Sequence, residues 1–291
     1  MTIRTLSPDP SPERVEGSVV TQMAVNDLGK DQQMTTPSPE APAHEALRPH
    51  RPLTAYYTDE TARHRWLQQV FDSTAADYDR IESLTAFGTG PKYRRDALAR
   101  AGLRAGMDVL DVGTGTGLTA VQAAFLTIDA RRVLGVDPSP GMLANARLPD
   151  GLRVLEGRAE ALPVADASAD FLSMGFALRH VSDLHVVFRE FHRALRPGGR
   201  VCVLEITRPR SRAAVLLLKL YMRYAVPFVA RLFGRTRDVT ALWRYYWDSI
   251  EACVPPAAVM AALREAGFVD VHRHVELGIY SEFVCRKPDS K

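Results

Sequence analysis

The segment Asp111-Val-Gly113-Thr-Gly115-Thr-Gly117 constrains this chain more than any other, because it joins the apolar run Val109–Val112 to a helical stretch from Leu118. Alternate glycines at a strand-to-helix junction let the backbone pass close to a ligand without interference from Cβ atoms. Glycines also serve plain tight turns, so the loop needs a second feature before it reads as a site. Asp137 supplies one: it ends the next apolar run, twenty positions after Gly117. A carboxylate there can accept hydrogen bonds from both hydroxyls of a ribose. It can also cap the helix that begins near Pro140, and the two roles are compatible.

A nicotinamide-dependent dehydrogenase would use the same fold and the same ribose-binding acid. Its G-x-G-x-x-G fingerprint requires a third glycine at position 118, where this chain has Leu118. Asp111 places a negative charge beside the loop, which repels a pyrophosphate and suits an ammonium and a sulfonium. The expected cofactor is therefore S-adenosylmethionine, with a nicotinamide-dependent oxidoreductase and a non-catalytic cofactor-binding module as alternatives.

Beyond Gly106 apolar strand runs alternate with helical stretches, which predicts a doubly wound α/β fold. Its sheet should be Rossmann-like, seven-stranded and mostly parallel. Strands are expected near 109–112, 132–136, 152–155, 171–174, 201–206, 269–275 and 280–284, with Pro197-Gly-Gly199 as the loop that stops the helix before Val201. Residues 107–291 form the catalytic domain and 51–106 a helical cap. Residues 1–50, rich in Pro, Ser, Thr and acids, read as a disordered tail. The net charge of +3 is spread along the chain, so nucleic acid is not an expected partner. Cys202, Cys253 and Cys285 lack CxxC spacing, and the N-terminus has no apolar signal-like region, so the expected compartment is the cytoplasm.

The residues resemble a family through five blocks: Phe71-Asp72-Ser73 with Tyr78-Asp79; residues 109–119; Gly157-Arg-Ala159-Glu160-Ala-Leu-Pro163; Phe176-Ala-Leu-Arg179-His180-Val; and Leu195-Arg-Pro-Gly-Gly-Arg-Val-Cys-Val-Leu-Glu205. These are similar to the UbiE-type C-methyltransferases of ubiquinone and menaquinone biosynthesis, class I S-adenosylmethionine-dependent enzymes, over residues 70–286. The resemblance implies that Gly113, Gly115, Thr116 and Gly117 form the cofactor loop and that Asp137 holds the ribose. It further implies that Arg158 and Ala159 flank the adenine, that Gly175 lies under the methionine part and that Tyr78 closes over the cofactor carboxylate. Met142 is expected on the adenine face or, equally, as a helix-core methionine. Arg158 stands where relatives tend to carry Asn or Asp, Gly175 where they tend to carry Ser, and His180 where they more often carry Asn.

Methyl transfer is an in-line displacement that needs alignment and exclusion of water, and no metal. A carbon acceptor must also be electron-rich, which for a phenol or quinol means losing or sharing its hydroxyl proton. Arg179, His180 and Asp183 lie just beyond a strand end, where ligands bind in such sheets, and are the candidate catalytic residues. Each also has an ordinary role open to it: ion pair, surface residue and helix cap. Residues 209–250, an apolar stretch followed by Trp243, Tyr245, Tyr246 and Trp247, would wall a small-molecule or lipid-like aromatic acceptor. The basic residues of that stretch also suit peripheral contact with a membrane, and the segment could equally cover the sheet or join two copies as a homo-oligomer. Pro227 and three cations argue against its spanning a bilayer. His272 and His274 lack a third ligand nearby in sequence, so no metal site is expected. The expected acceptor is a prenylated quinol or related aromatic, with a specialised metabolite methylated on O, N or C as the alternative.

Overall fold

The computed structural model describes residues 45–233 and 238–290. The tail expected over 1–50 lies outside the described residues as far as position 44. Residues 45–50 do not belong to it: Leu47 accepts a hydrogen bond from Leu184 N, Pro49 from Val254 N, and His50 pairs with Cys253.

Seven strands form one sheet in the order β3-β2-β1-β4-β5-β7-β6. They are β1 Val109–Val112, β2 Val133–Asp137, β3 Arg153–Glu156, β4 Ala169–Gly175, β5 Leu195–Ile206, β6 Val269–Glu276 and β7 Tyr280–Arg286. Strands β1 to β5 run parallel, and β7 is inserted antiparallel between β5 and β6. The central strands are buried on both faces, as the near-continuous apolar text of β1, β4 and β5 requires. The turn expected at Pro197-Gly-Gly199 is a bulge inside β5. Leu195 pairs with Ala169 and Arg200 with Phe171, so the extra residues loop out between two paired stretches.

Helices α2 (Gly90–Arg100) and α3 (Leu118–Thr127) cover one face of the sheet through Ala97, Leu98, Ala120 and Ala123, and the short α4 (Pro140–Ala144) follows β2. Helices α5 (Leu184–Ala194) and α9 (Pro256–Glu265) cover the other through Phe188, Phe191, Val259 and Leu263. The expected helical cap over 51–106 is thereby divided, since α2 belongs to the sheet layer. What caps the carboxyl ends of the strands is α1 (Glu60–Thr85), started by the Asp59 carboxylate accepting from Ala62 N at 2.8 Å. Its apolar partners come from the far end of the chain: α6 (Arg212–Leu220) and α7 (Val226–Phe233), fused by one π-helical turn at Tyr221–Ala225, and α8 (Asp238–Ala252). The π turn precedes Pro227, which cannot donate to the helix ladder.

Candidate active site

The sheet order reverses between β1 and β4, and a cleft opens beyond the carboxyl ends of β1, β2 and β4. Gly113, Gly115 and Gly117 all adopt left-handed backbone, with φ of 68°, 56° and 92°. At Gly113 a Cβ would lie 2.5 Å from Ala177 Cβ, so the loop can close against the end of β4 only without a side chain. Asp137 holds the loop from β2: its carboxylate accepts from Gly115 N at 2.7 Å and from Ser139 N at 2.9 Å. Burial pushes its pKa up to about 6, against the opposing effect of those two N–H donors.

Of the residues expected to hold the cofactor, Tyr78, Gly113, Gly115, Thr116, Asp137, Met142, Arg158, Ala159 and Gly175 line the cleft. Asp111 does not. Its carboxylate is fully buried beneath the loop, accepting from Ser173 Oγ at 2.6 Å and Thr114 Oγ1 at 2.7 Å, and burial raises its pKa to about 6. Gly117 also stands back from the cleft, as the left-handed residue that starts α3. At Gly175 a Cβ would run into the Thr119 hydroxyl, which explains the absence of the serine expected from the family pattern. The Arg158 guanidinium donates to His64 Nε2 at 2.9 Å and lies 3.4 Å from Glu160.

The trio Arg179, His180 and Asp183 is split. After β4 the backbone of Phe176 is left-handed, with φ 61°, and this non-glycine strain turns the chain out of the sheet into a single helical turn, Leu178–His180. That turn delivers His180 to the cleft, where its ring stacks on Tyr245 and Tyr246 and meets the edge of Phe71. Burial, together with the charges of Arg179 and Arg63, holds the His180 pKa well below the usual imidazole value, so the ring is neutral. Its Nδ1 lies 3.4 Å from the Tyr245 hydroxyl, and its Nε2 is buried with no hydrogen-bond partner among the described residues.

Arg179 and Asp183 do not reach the cleft. Arg179 is 1% exposed, pairs with Glu205 and lies over the Tyr246 ring at 4.5 Å. Burial works against its charge, but the Glu205 carboxylate keeps its pKa raised. Asp183 caps α5, accepting from His185 N at 2.9 Å. Of the aromatic residues of 209–250, only Tyr246 lines the cleft, while Trp243 stacks on Tyr78.

Several site residues were given no role from the sequence. His64, Leu67 and Gln68 line the cleft from α1, whose surface pattern does not separate them from other helix positions. Asp72 and Asp79 reach the two cofactor loops from the same helix. Asp72 Oδ1 accepts from Ser139 Oγ at 2.5 Å and Gly141 N at 2.9 Å, and Asp79 accepts from Thr116 Oγ1. His274 does have ligand-type neighbours in space, Glu276 and Glu282, contrary to the expectation from sequence. Arg100 already binds both carboxylates, at 2.7 Å for Glu276, and supplies the positive charge there.

The cleft fits S-adenosylmethionine on two counts: the Cβ-free approach at Gly113 and the buried Asp137 carboxylate with lone pairs to spare. The comparisons agree. The model of the ubiE/COQ5 methyltransferase family matches residues 58–286. The ubiquinone/menaquinone biosynthesis C-methyltransferase UbiE of Rubrivivax gelatinosus is 33% identical over 218 residues, 74% of this chain and 84% of that one. The demethylmenaquinone methyltransferase of Thermus thermophilus is 33% identical over 224 residues, 75% of this chain and all of that one. Among solved structures, S-adenosylmethionine-dependent methyltransferases of Thermotoga maritima (TM-score 0.54, 20% identity, 76% and 99% of the two chains) and Aquifex aeolicus (0.51, 19%, 72% and 97%) share the fold. This chain belongs to the ubiE/COQ5 methyltransferase family and is an S-adenosylmethionine-dependent methyltransferase.

Proposed function

We propose that the chain transfers a methyl group to a ring carbon of a prenylated quinol or related aromatic. The observation that carries this reading is His180, a neutral imidazole lining the cleft against the rings of Phe71 and Tyr246, with Nε2 left without a hydrogen-bond partner among the described residues. Bound at the glycine loop, S-adenosylmethionine supplies an electrophilic methyl. Leu67, Phe71 and Tyr246 hold the flat ring and exclude water. As the ring carbon gains the methyl group, the sulfur–methyl bond breaks to leave S-adenosylhomocysteine. The ring hydroxyl becomes strongly acidic, so even a weakly basic imidazole can take its proton at Nε2, and loss of the hydrogen on the methylated carbon with return of a proton to the ring oxygen restores the aromatic quinol. Arg179 holds Tyr246 from behind, as a positioning residue, and Asp183 belongs to the scaffold.

The second reading, a specialised metabolite methylated on O or N, is favoured by His64, Arg158 and Glu160, which make one side of the cleft polar. The test is incubation with labelled S-adenosylmethionine, first with reduced prenylated quinones and then with a host extract, followed by identification of the labelled product. Label on a quinol ring carbon is expected, with His180→Ala slowing turnover by about 10²–10⁴ while cofactor affinity holds. Label confined to polar metabolites would overturn the quinol reading.

A further inference from the structure

The helix Arg212–Phe233 is 22 residues long, with mean hydropathy 1.5, and it is two-faced. Leu218, Met222, Val226 and Ala230 point inward every fourth residue and pack with α1 and α8. A second stripe with the same period, Leu216, Leu220, Tyr224, Phe228 and Leu232, widened by Leu217, stands 48–70% exposed. Tyr221 donates its hydroxyl to the Thr85 carbonyl, which ties this helix to the end of α1. Single exposed apolar residues are unremarkable, but an unbroken stripe the length of a six-turn helix is not.

Charge indicates what covers it. Between Glu205 and Asp238 the sequence holds eight arginines and lysines and no carboxylate. Lys219 and Arg223 are tied to Glu251 and Asp248 of α8, which anchors the helix to the domain. Arg208, Arg210 and Arg212, at its start, are exposed and take part in no ion pair among the described residues. A second copy of this chain would bring the same arginines to its own surface, whereas an anionic bilayer offers an apolar interior and a negative surface together.

We infer that the helix Arg212–Phe233 lies in the plane of an anionic lipid bilayer, its exposed stripe in the acyl boundary and Arg208, Arg210 and Arg212 among the headgroups. The inward face remains packed on the protein, so the helix lies on the membrane and does not cross it. This inference does not depend on the acceptor proposed above.

The test is sedimentation of the full chain with vesicles of phosphatidylcholine alone and of phosphatidylcholine mixed with phosphatidylglycerol. Binding is expected to the mixed vesicles and to weaken with salt. Arg208→Gln, Arg210→Gln and Arg212→Gln together should cut partitioning by about a hundredfold, roughly fivefold for each charge. Leu217→Ser with Phe228→Ser should cut it by a similar factor. In both variants unchanged S-adenosylmethionine affinity reports that the domain is folded. Absence of binding to mixed vesicles, or binding that both variants retain, overturns the inference. So does self-association that the Leu217→Ser, Phe228→Ser variant abolishes without any vesicle binding, because the stripe is then a contact between copies.

Discussion

At the residue scale, two buried carboxyls give the site a pH dependence. Asp111 and Asp137 are raised from 3.8 to about 6, chiefly by burial. Each favours the folded state most when protonated, below its unfolded value near 3.8, and that contribution is lost as pH rises through about 6. Cofactor binding runs the other way, since a cationic ligand with ribose hydroxyls to donate selects the ionised Asp137. S-adenosylmethionine affinity measured by calorimetry should therefore be flat above neutrality and fall by up to about tenfold per pH unit below about 6. Asp137→Asn should bind weakly at every pH and flatten the profile. A wild-type profile that stays flat down to pH 5 would contradict this role. Asp137 was legible in the sequence because strand-end position and spacing define it. The environment of Asp111 was not, because whether a strand residue faces a ligand or the Ser173 hydroxyl depends on the neighbouring strand.

At the element scale, α1 acts as a strap across two loops of the cleft. Asp72 and Asp79 are two helical turns apart on one face, and each grips a different loop, Asp72 at Ser139 and Gly141 and Asp79 at Thr116. Hydrogen bonds to a charged acceptor contribute about 1.5–3 kcal/mol each. Asp72→Ala with Asp79→Ala should speed cofactor release, followed by stopped-flow displacement, by roughly 10–100-fold with little loss of the sheet's thermal stability. Release at the wild-type rate would remove α1 from any strap role. The Phe71-Asp72-Ser73 and Tyr78-Asp79 blocks were visible as resemblance. Their function was not, since it is a contact across about seventy residues of chain in one case and thirty-seven in the other.

At the scale of the whole molecule, the cleft is closed by two segments far apart in sequence, α1 and α8, over a sheet that forms its own core. A ligand that binds only this assembled state stabilises it by mass action, about 2.7 kcal/mol at a hundredfold excess over its Kd. At about 2–4 °C per kcal/mol for a domain of this size, saturating S-adenosylmethionine should raise Tm by roughly 5–10 °C, and a nicotinamide dinucleotide should not. An equal shift with the dinucleotide would contradict the assignment of the cleft. Removing the fully buried Phe188 ring between sheet and α5 should cost about 3–5 kcal/mol by Phe188→Ala, read in denaturant unfolding.

The sequence by itself determined the strand–helix alternation, the glycine loop, the acid Asp137 at the end of β2 and the Asp183 cap of α5, because each depends on local periodicity, backbone φ or a cap within a few residues. It left open which face each polar residue presents. Arg179, His180 and Asp183 are close neighbours in sequence, yet the left-handed turn at Phe176 and the packing of α8 send one to Glu205, one to the cleft and one to a helix end. Likewise the apolar segment 213–233 read as one hydrophobic run, and only packing against α1 and α8 decided which half of it is core and which remains exposed. Burial of a long-range contact is set by the partner element, and sequence spacing carries no record of that partner.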